Sequence, residues 1–375
     1  MTSKFQRSLT KLPTKPKEDF SLVEDLTNRK TNIRVIARFR PFIELEKKFE
    51  GSQELKFQFP DESTVLVPCN DPAEPYMCDQ IFPPDSSQIE VYEATGRDAV
   101  KDVLEGYNGT IFAFGQTGSG KTHTMMGNLL DPQARGLIPR CISQIFESAS
   151  SSQKTEFIIK CSILEIYNEK LRDLLGESDS LKIKENVHKG IYIEGLTEVF
   201  VASEEEIFEV LQAGEKSRTV ASTKMNEVSS RSHLLFMLEI RQKFENDTEK
   251  RGVLNLIDLA GSEKIKHSGV TGMKLEEAKK INLSLSALGN VIHALTSLSE
   301  HVPYRDSKLT RLLQESLGGN FKTLLIVTCS PAIRNIEETV KTLKFAQRAK
   351  KIKTSAKINF KTNAESYMKI IESLK

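Results

Sequence analysis

The apolar run Thr110-Ile111-Phe112-Ala113-Phe114 leads directly into Gly115-Gln116-Thr117-Gly118-Ser119-Gly120-Lys121-Thr122, followed by His123-Thr124-Met125-Met126. The first five residues are β-rich and apolar, as a buried strand requires. The next eight have the spacing G-x-x-x-x-G-K-T. In that pattern glycines let backbone N–H groups close around the α- and β-phosphates of a nucleotide. Lys121 offers a charge to the β- and γ-phosphates, and the Thr122 hydroxyl can ligate Mg²⁺. The last four residues can open a helix. Strand, loop and helix in that order separate a phosphate-binding loop from a chance glycine-rich turn.

Two further elements lie C-terminal to this loop. Asp258-Leu259-Ala260-Gly261 follows the apolar run Val253–Ile257. A carboxylate at the end of a buried strand is where a nucleotide enzyme holds the Mg²⁺ shell, and the glycine can turn a backbone N–H toward the γ-phosphate. Alone, D-x-x-G is an ordinary turn. Beside a phosphate loop it suggests a nucleotide sensor. Asn226-Glu227-Val228-Ser229-Ser230-Arg231-Ser232-His233 precedes the apolar run Leu234–Ile240. Its crowded hydroxyl, guanidinium and imidazole groups read either as a polar Ser-rich loop or as a loop closing on the γ-phosphate. Its position between the other two elements favours the second.

The chain has 375 residues, 38% of them hydrophobic, enough for one large core. The formal net charge of +2 does not suggest a nucleic-acid binder. The charge is uneven: seven Lys/Arg against four Asp/Glu in residues 1–30, and ten against two in residues 341–375, leave the body between them net negative. A basic C-terminal tail could meet an acidic surface or simply be solvated. The five cysteines, Cys69, Cys78, Cys141, Cys161 and Cys329, form no C-x-x-C pair and read as free thiols in a reducing compartment. There is no apolar signal core at the N-terminus and no run as long as a membrane span. A cytoplasmic or nuclear location is expected.

Residues 1–30 are polar, contain Pro13 and Pro16, and read as a flexible arm. Beyond them, strands are expected at Ile33–Phe39, Thr110–Phe114, Phe157–Ile166, Leu234–Ile240, Val253–Ile257 and Leu324–Thr328. Helices are expected at Glu90–Leu104, Glu204–Gln212, Leu275–Leu298, Arg305–Leu317 and Ile336–Lys351. The alternation indicates an α/β fold with a sheet covered on both faces. Leu181–Glu185 and Ile191–Phe200, divided by Lys189-Gly190, have the look of a hairpin, which would make the sheet mixed.

The strings GQTGSGKTHTM, NEVSSRSH and DLAGSE, in this order, resemble the kinesin family. So do Arg38-Phe39-Arg40-Pro41, Tyr107-Asn108-Gly109-Thr110, Pro303-Tyr304-Arg305-Asp306-Ser307-Lys308-Leu309-Thr310 and Phe345-Ala346-Gln347-Arg348-Ala349. The resemblance covers residues 30 to 375 and is greatest to conventional kinesin heavy chain, whose motor is N-terminal and plus-end-directed. It implies a P-loop NTPase-type motor fold, with a central mixed sheet of about eight strands between two layers of helices. It implies a microtubule-stimulated ATPase that uses ATP/ADP and Mg²⁺. The motor domain would span 31–353, a neck linker 354–363, and the start of a neck coiled coil 364–375.

The resemblance also assigns roles. Gln116, Thr117, Gly118, Ser119, Gly120, Lys121 and Thr122 would bind the phosphates. Arg38, Arg40, Pro41 and His123 would flank the adenine. Arg231 and Glu263 would form the ion pair that closes the site and orders the attacking water. Asn226, Ser229 and Ser230 would contact the nucleotide, Gly261 would sense the γ-phosphate, and Mg²⁺ would be held by Thr122, Ser229 and, through water, Asp258.

Leu275–Leu298 carries Ile281, Leu285, Leu288, Ile292 and Leu295 at helical spacing, with Lys274, Lys279, Lys280 and Asn290 opposite. It resembles the kinesin relay helix. Together with Lys264–Gly272 and His301–Arg311, it would contact tubulin, with Arg305, Lys308 and Arg311 facing the acidic microtubule. Residues 354–363 lack helical periodicity, and Ala356–Lys361 is Lys-rich and less apolar than the linker of conventional kinesin, which weakens its expected docking. Ala364, Tyr367, Ile371 and Leu374 have a-d-a-d spacing, too short to hold a dimer. A longer chain is expected to be a homodimer, and this fragment a monomer, in a cytoskeletal setting. A GTPase would need a guanine-reading N-K-x-D string after Glu263, and a depolymerase a long basic insertion between Arg40 and Phe82. The sequence has neither. A module that holds nucleotide without hydrolysis would be expected to lose Lys121, Arg231 or Glu263, and all three are present.

Overall fold

All six residues of Gly109–Phe114 are buried, which requires a central strand covered on both faces. The computed structural model describes residues 30–48, 53–68, 74–152, 154–178, 180–186, 190–225, 229–263 and 273–361. The main sheet contains β1 (Arg34–Phe39), β2 (Gln80–Phe82), β3 (Gly109–Phe114), β4 (Thr155–Tyr167), β5 (Val199–Val201), β6 (His233–Phe244), β7 (Glu249–Asp258) and β8 (Lys322–Cys329). Their spatial order is β5-β4-β6-β7-β3-β8-β1-β2. The run from β7 to β2 is parallel, and the run from β5 to β7 is antiparallel. Short strands Lys170–Asp173 and Phe360–Lys361 pair with β4 and β7.

The helices are α1 (Glu44–Lys47), α2 (Gln88–Glu93), α3 (Gly96–Leu104), α4 (Lys121–Met125), α5 (Leu137–Ser151), α6 (Glu204–Met225), α7 (Met273–Thr296), α8 (Lys308–Leu312) and α9 (Ile336–Ala349). Strand alternation divides the core into two layers. Val35, Ala37, Phe39, Phe112, Phe114 and Leu235 pack with α7, α8 and α9. Ile36, Ile111, Ala113, Leu234 and Phe236 pack with α2, α3, α5 and α6. The rings of Phe114 and Phe345 stack with centroids 3.9 Å apart, fastening α9 to β3. Such a pair adds about 0.5–1.5 kcal/mol beyond its burial.

The sheet is mixed, but the expected hairpin is not the reason. Lys182–Asn186 and Gly190–Glu194 form a separate two-stranded ladder. The chain turns at Gly195, whose φ is 85°, and only Val199–Val201 joins the main sheet. The antiparallel half arises instead from β4, β6 and β7. The expected helix Glu90–Leu104 is two helices, because the Thr95 hydroxyl takes the carbonyl of Val91 and the chain departs from helical dihedrals there. The helix expected to stop at Gln212 continues to Met225, because Gly214 serves packing: a Cβ there would lie 2.6 Å from Ile163 Cδ1. The helix expected over Arg305–Leu317 shortens to α8, capped by Ser307 and followed by turns toward β8.

The C-terminal segment pairs with the N-terminal end of β7, beyond the part of β7 that β3 reaches. Phe360–Lys361 pairs with Glu249 and Lys250 of β7. The Asn359 amide donates to Gly106 O at 2.8 Å, and the Arg251 amide donates to Asn359 O at 2.9 Å. The Asn359 side chain donates to Gly106 O at 2.9 Å and to Asn108 Oδ1 at 3.0 Å. Backbone and Asn359 hydrogen bonds fix the segment, with the half-exposed Ile358 side chain lying against Gly106. The described cysteines, Cys78, Cys141, Cys161 and Cys329, are free and buried. Burial pushes the Cys78 and Cys141 thiols up to about 12 and Cys161 to about 11, so all three are inert at neutral pH. No helix among the described residues is long and apolar enough to cross a membrane.

Candidate nucleotide-binding site

β3 and β7 are parallel neighbours, so the loops that leave their C-terminal ends emerge side by side. β6 runs antiparallel to β7, with Leu234 opposite Asp258. That register brings the start of β6, and the turn Ser229–Arg231 before it, to the same end of the sheet. Three segments remote in sequence therefore meet because of strand direction alone.

The phosphate loop wraps around the Lys121 side chain. Gly120 has φ 105° and Gly118 has φ 74°, conformations open to glycine at little cost. The Lys121 ammonium is buried and donates to Gly115 O and Gln116 O, both at 2.9 Å. Burial lowers its pKa, opposed by the charges of Asp258 and Glu263. Ser119 is fixed by its hydroxyl to Gln116 O at 2.8 Å and Thr328 Oγ1 at 2.6 Å, which ties the loop to the end of β8.

Thr122 Oγ1 donates to Asp258 Oδ2 at 2.5 Å. The other oxygen, Oδ1, is buried without a hydrogen-bond partner. Burial raises the Asp258 pKa, opposed by the Thr122 hydroxyl and by Lys121. A buried acceptor without a donor, next to a hydroxyl and a cradle of backbone amides, suits a hard cation with oxygen ligands such as Mg²⁺.

The two switch-like segments already touch. Gly261 N–H donates to Ser230 O at 2.8 Å. The Glu263 carboxylate accepts from the Thr117 amide at 2.8 Å and also from its hydroxyl, so it lies over the phosphate loop. Arg231 lies in the turn Ser229–Arg231 just before β6. Asn226 lies outside the described residues, as do Lys264–Gly272 and the start of the expected coiled coil; of Ser229 only the backbone is described.

Arg38 and Arg40, expected beside the adenine, each hold protein groups around the phosphate loop. Arg38 is buried and donates to Gln88 Oε1 at 2.7 Å and Thr124 Oγ1 at 3.1 Å. Gln88 in turn donates to His123 O at 2.7 Å, so Arg38 braces α4 from behind. Arg40 holds the loop itself: Nε donates to Gly118 O at 2.7 Å, one terminal nitrogen to Pro41 O at 2.8 Å, and both terminal nitrogens to Glu46 at 2.6 and 2.8 Å. It also reaches Ser330 Oγ at 2.9 Å. Burial opposes ionisation of Glu46, but the Arg40 guanidinium and the Ile43 amide outweigh it and hold the carboxyl below its usual range. The sequence reading missed Glu46, Thr328 and Ser330. An acidic residue six positions after Arg40 carries no spacing signal, and the other two come from the far end of the chain.

On the opposite side of α7 from the solvent, Leu285, Leu288, Val291 and Ile292 are buried, while Lys280 and Asn290 are exposed. Arg305 and Lys308 are exposed as expected, but Arg311 is held by Glu185 of the separate hairpin at 2.6 Å.

Known proteins share this arrangement. The kinesin motor domain, as a sequence family, matches residues 38–352. Kinesin-related protein 5 of Dictyostelium discoideum is 51% identical over 353 residues, covering 92% of this chain and 35% of that protein. Kinesin heavy chain isoform 5C of Rattus norvegicus is 49% identical over 350 residues, covering 92% of this chain and 36% of that protein. A solved structure of a fast kinesin, reported for its ATPase mechanism and interactions with microtubules, superposes with TM-score 0.83 at 47% identity. It covers 89% of this chain and 95% of that one. The chain spans about a third of the length of the curated relatives it matches. With its phosphate loop, its two contacting switch-like segments and these likenesses along nearly its whole length, the chain belongs to the kinesin motor-domain family.

Proposed function

We propose that this chain is a microtubule-stimulated ATPase that couples ATP hydrolysis to plus-end-directed movement along microtubules. The observation that carries this reading is the meeting of Lys121, Thr122, Asp258, Gly261, Ser230 and Glu263 at one end of the sheet. Phosphoryl transfer needs positioning and charge stabilisation more than covalent chemistry. Lys121 and the loop amides orient the phosphates. Thr122, Ser229 and, through water, Asp258 would hold Mg²⁺, which would supply charge neutralisation at the phosphate oxygens. Gly261 N–H exchanges Ser230 O for the γ-phosphate. Glu263, which lies over the phosphate loop, would pair with Arg231 to hold the attacking water. Arg38, Arg40, Pro41 and His123 border the adenine.

The mechanical end of the reading rests on residues 354–363 as the neck linker, and the pairing of Phe360–Lys361 with Glu249 and Lys250 supports it. Tubulin is met by Lys264–Gly272, Leu275–Leu298 and His301–Arg311, with Arg305 and Lys308 supplying charge to the acidic lattice. Exposed charge pairs are screened within about a Debye length, so binding weakens with salt. The location is cytoplasmic and cytoskeletal, and the longer protein dimerises through the coiled coil that residues 364–375 begin.

The test is movement of polarity-marked microtubules over surface-bound chain in ATP. Gliding with minus ends leading is expected. Gliding with plus ends leading removes the directional part of the proposal, and binding without gliding removes the coupling.

A further inference from the structure

His233 is the first residue of β6, and its side chain is buried at 3% exposure. Its Nδ1 accepts the amide N–H of Ala260 at 2.9 Å. A ring nitrogen that accepts an N–H carries no proton, so the proton sits on Nε2. Nε2–H therefore donates to Ser284 Oγ at 2.9 Å. Ser284 is a buried residue of α7. One imidazole thus ties together the strand that follows Ser230 and Arg231, the turn Asp258–Gly261, and α7. Ala260 and Gly261 carry consecutive amides, and each is tied to the segment 230–233: Gly261 to Ser230 O at 2.8 Å, Ala260 to the His233 ring.

We propose that His233 is a positioning residue that transmits the placement of the D-L-A-G turn to α7 through Ala260 N–H and Ser284 Oγ. The inference rests on the motor reading above and names a link within it. Gly261 N–H can satisfy Ser230 O or a phosphate oxygen, and moving from one to the other displaces the adjoining peptide at Ala260. The Ala260 amide is buried, and a buried N–H that loses its acceptor is costly, so the His233 ring follows that amide and carries its Nε2–H bond to Ser284 with it. The ring, the turn and α7 are therefore held to shift together. Burial, reinforced by the charges of Lys121 and Arg218, pushes the imidazole pKa down to about 3, so the ring stays neutral and keeps this tautomer at physiological pH.

The experiment is a double-mutant cycle on the ratio of microtubule-stimulated to basal ATP turnover. Ser284→Ala removes the α7 end of the link. His233→Asn keeps an acceptor near Ala260 but is too short for Ser284. Each single variant is expected to lower the ratio by about two- to tenfold, the factor one net hydrogen bond supplies. The double variant is expected to be no lower than the worse single. Ser284→Ala alone decides the matter if His233→Asn fails to fold. A ratio for Ser284→Ala equal to wild type, both turnovers falling together at constant ratio, or multiplicative effects in the double variant would each overturn the link while leaving the motor reading intact. A wild-type chain that microtubules do not stimulate would instead sink the motor reading, and this inference with it.

Discussion

Replacing Glu46 by Gln probes the clamp that holds the phosphate loop open for nucleotide. The carboxylate is 1% exposed and the Arg40 side chain 14% exposed, with both guanidinium nitrogens within 2.8 Å of it. Gln keeps the volume and one acceptor oxygen. It removes the counter-charge and turns an amide NH₂ toward the guanidinium. Breaking one side of a buried pair costs ~3–5 kcal/mol. The retained acceptor and the partial exposure of Arg40 reduce this to ~2–3 kcal/mol here. Glu46 also accepts from Ser330 just after β8 and from Asn335 just before α9, at 3.4 and 3.5 Å, so the loss extends to the segment that joins them. Urea unfolding at pH 7 reads the stability change, and nucleotide titration reads the site. Because Arg40 also holds Gly118 O, ATP affinity is expected to fall about tenfold, equivalent to ~1.4 kcal/mol. The folded-state pKa of Glu46 is depressed, so its contribution is present above the unfolded pKa and fades as pH falls through the folded one. The gap between variant and wild type should therefore close in acid. A stability change under ~0.5 kcal/mol with unchanged ATP affinity would refute the clamp.

Three other outcomes follow from the same geometry. Thr122→Ala leaves both Asp258 oxygens buried without a donor, and Mg-ATP affinity is expected to drop about tenfold or more by isothermal titration; unchanged affinity would remove Thr122 from the site. Asn359→Ala deletes the side-chain bonds to Gly106 O and Asn108 Oδ1, and a spin label at residue 361 should report a docked population several-fold smaller; an unaltered spectrum would mean the backbone pairing alone suffices. For Glu239, burial opposes ionisation, but Arg251, Arg241 and Lys160 hold the carboxyl at about 2. Its contribution is thus full above the unfolded value of about 4.3 and lost as pH falls from there toward 2. Glu239→Gln should be less stable than wild type at pH 7 and converge with it in acid unfolding followed by circular dichroism; a pH-independent gap would contradict the assignment.

The phosphate loop and the Asp258 turn could be read directly from the sequence because their chemistry is contiguous. Each follows an apolar strand that burial forces to the middle of the sheet. Their meeting could be inferred only in part, since it depends on β3 and β7 being neighbours. The Arg40 clamp could not be read at all: its partner Ser330 lies 290 positions away. The same is true of His233, whose string marked it as polar loop chemistry, while the structure makes it a buried connector to Ser284. Helix ends misled where one residue had two uses. α6 runs past Gln212 through Gly214, which packs against Ile163, and Thr95 breaks a helix that its periodicity continues. The C-terminal segment read as weakly docking because apolar side chains are sparse, yet backbone pairing and Asn359 hold it.

The most direct test of the coupled motor is steady-state ATP turnover with and without polymerised microtubules, with Glu263→Ala as the control. A many-fold rise on adding microtubules, abolished in Glu263→Ala, is the predicted result. Turnover that is absent, or indifferent to microtubules, would contradict it and leave a nucleotide-holding module as the better description.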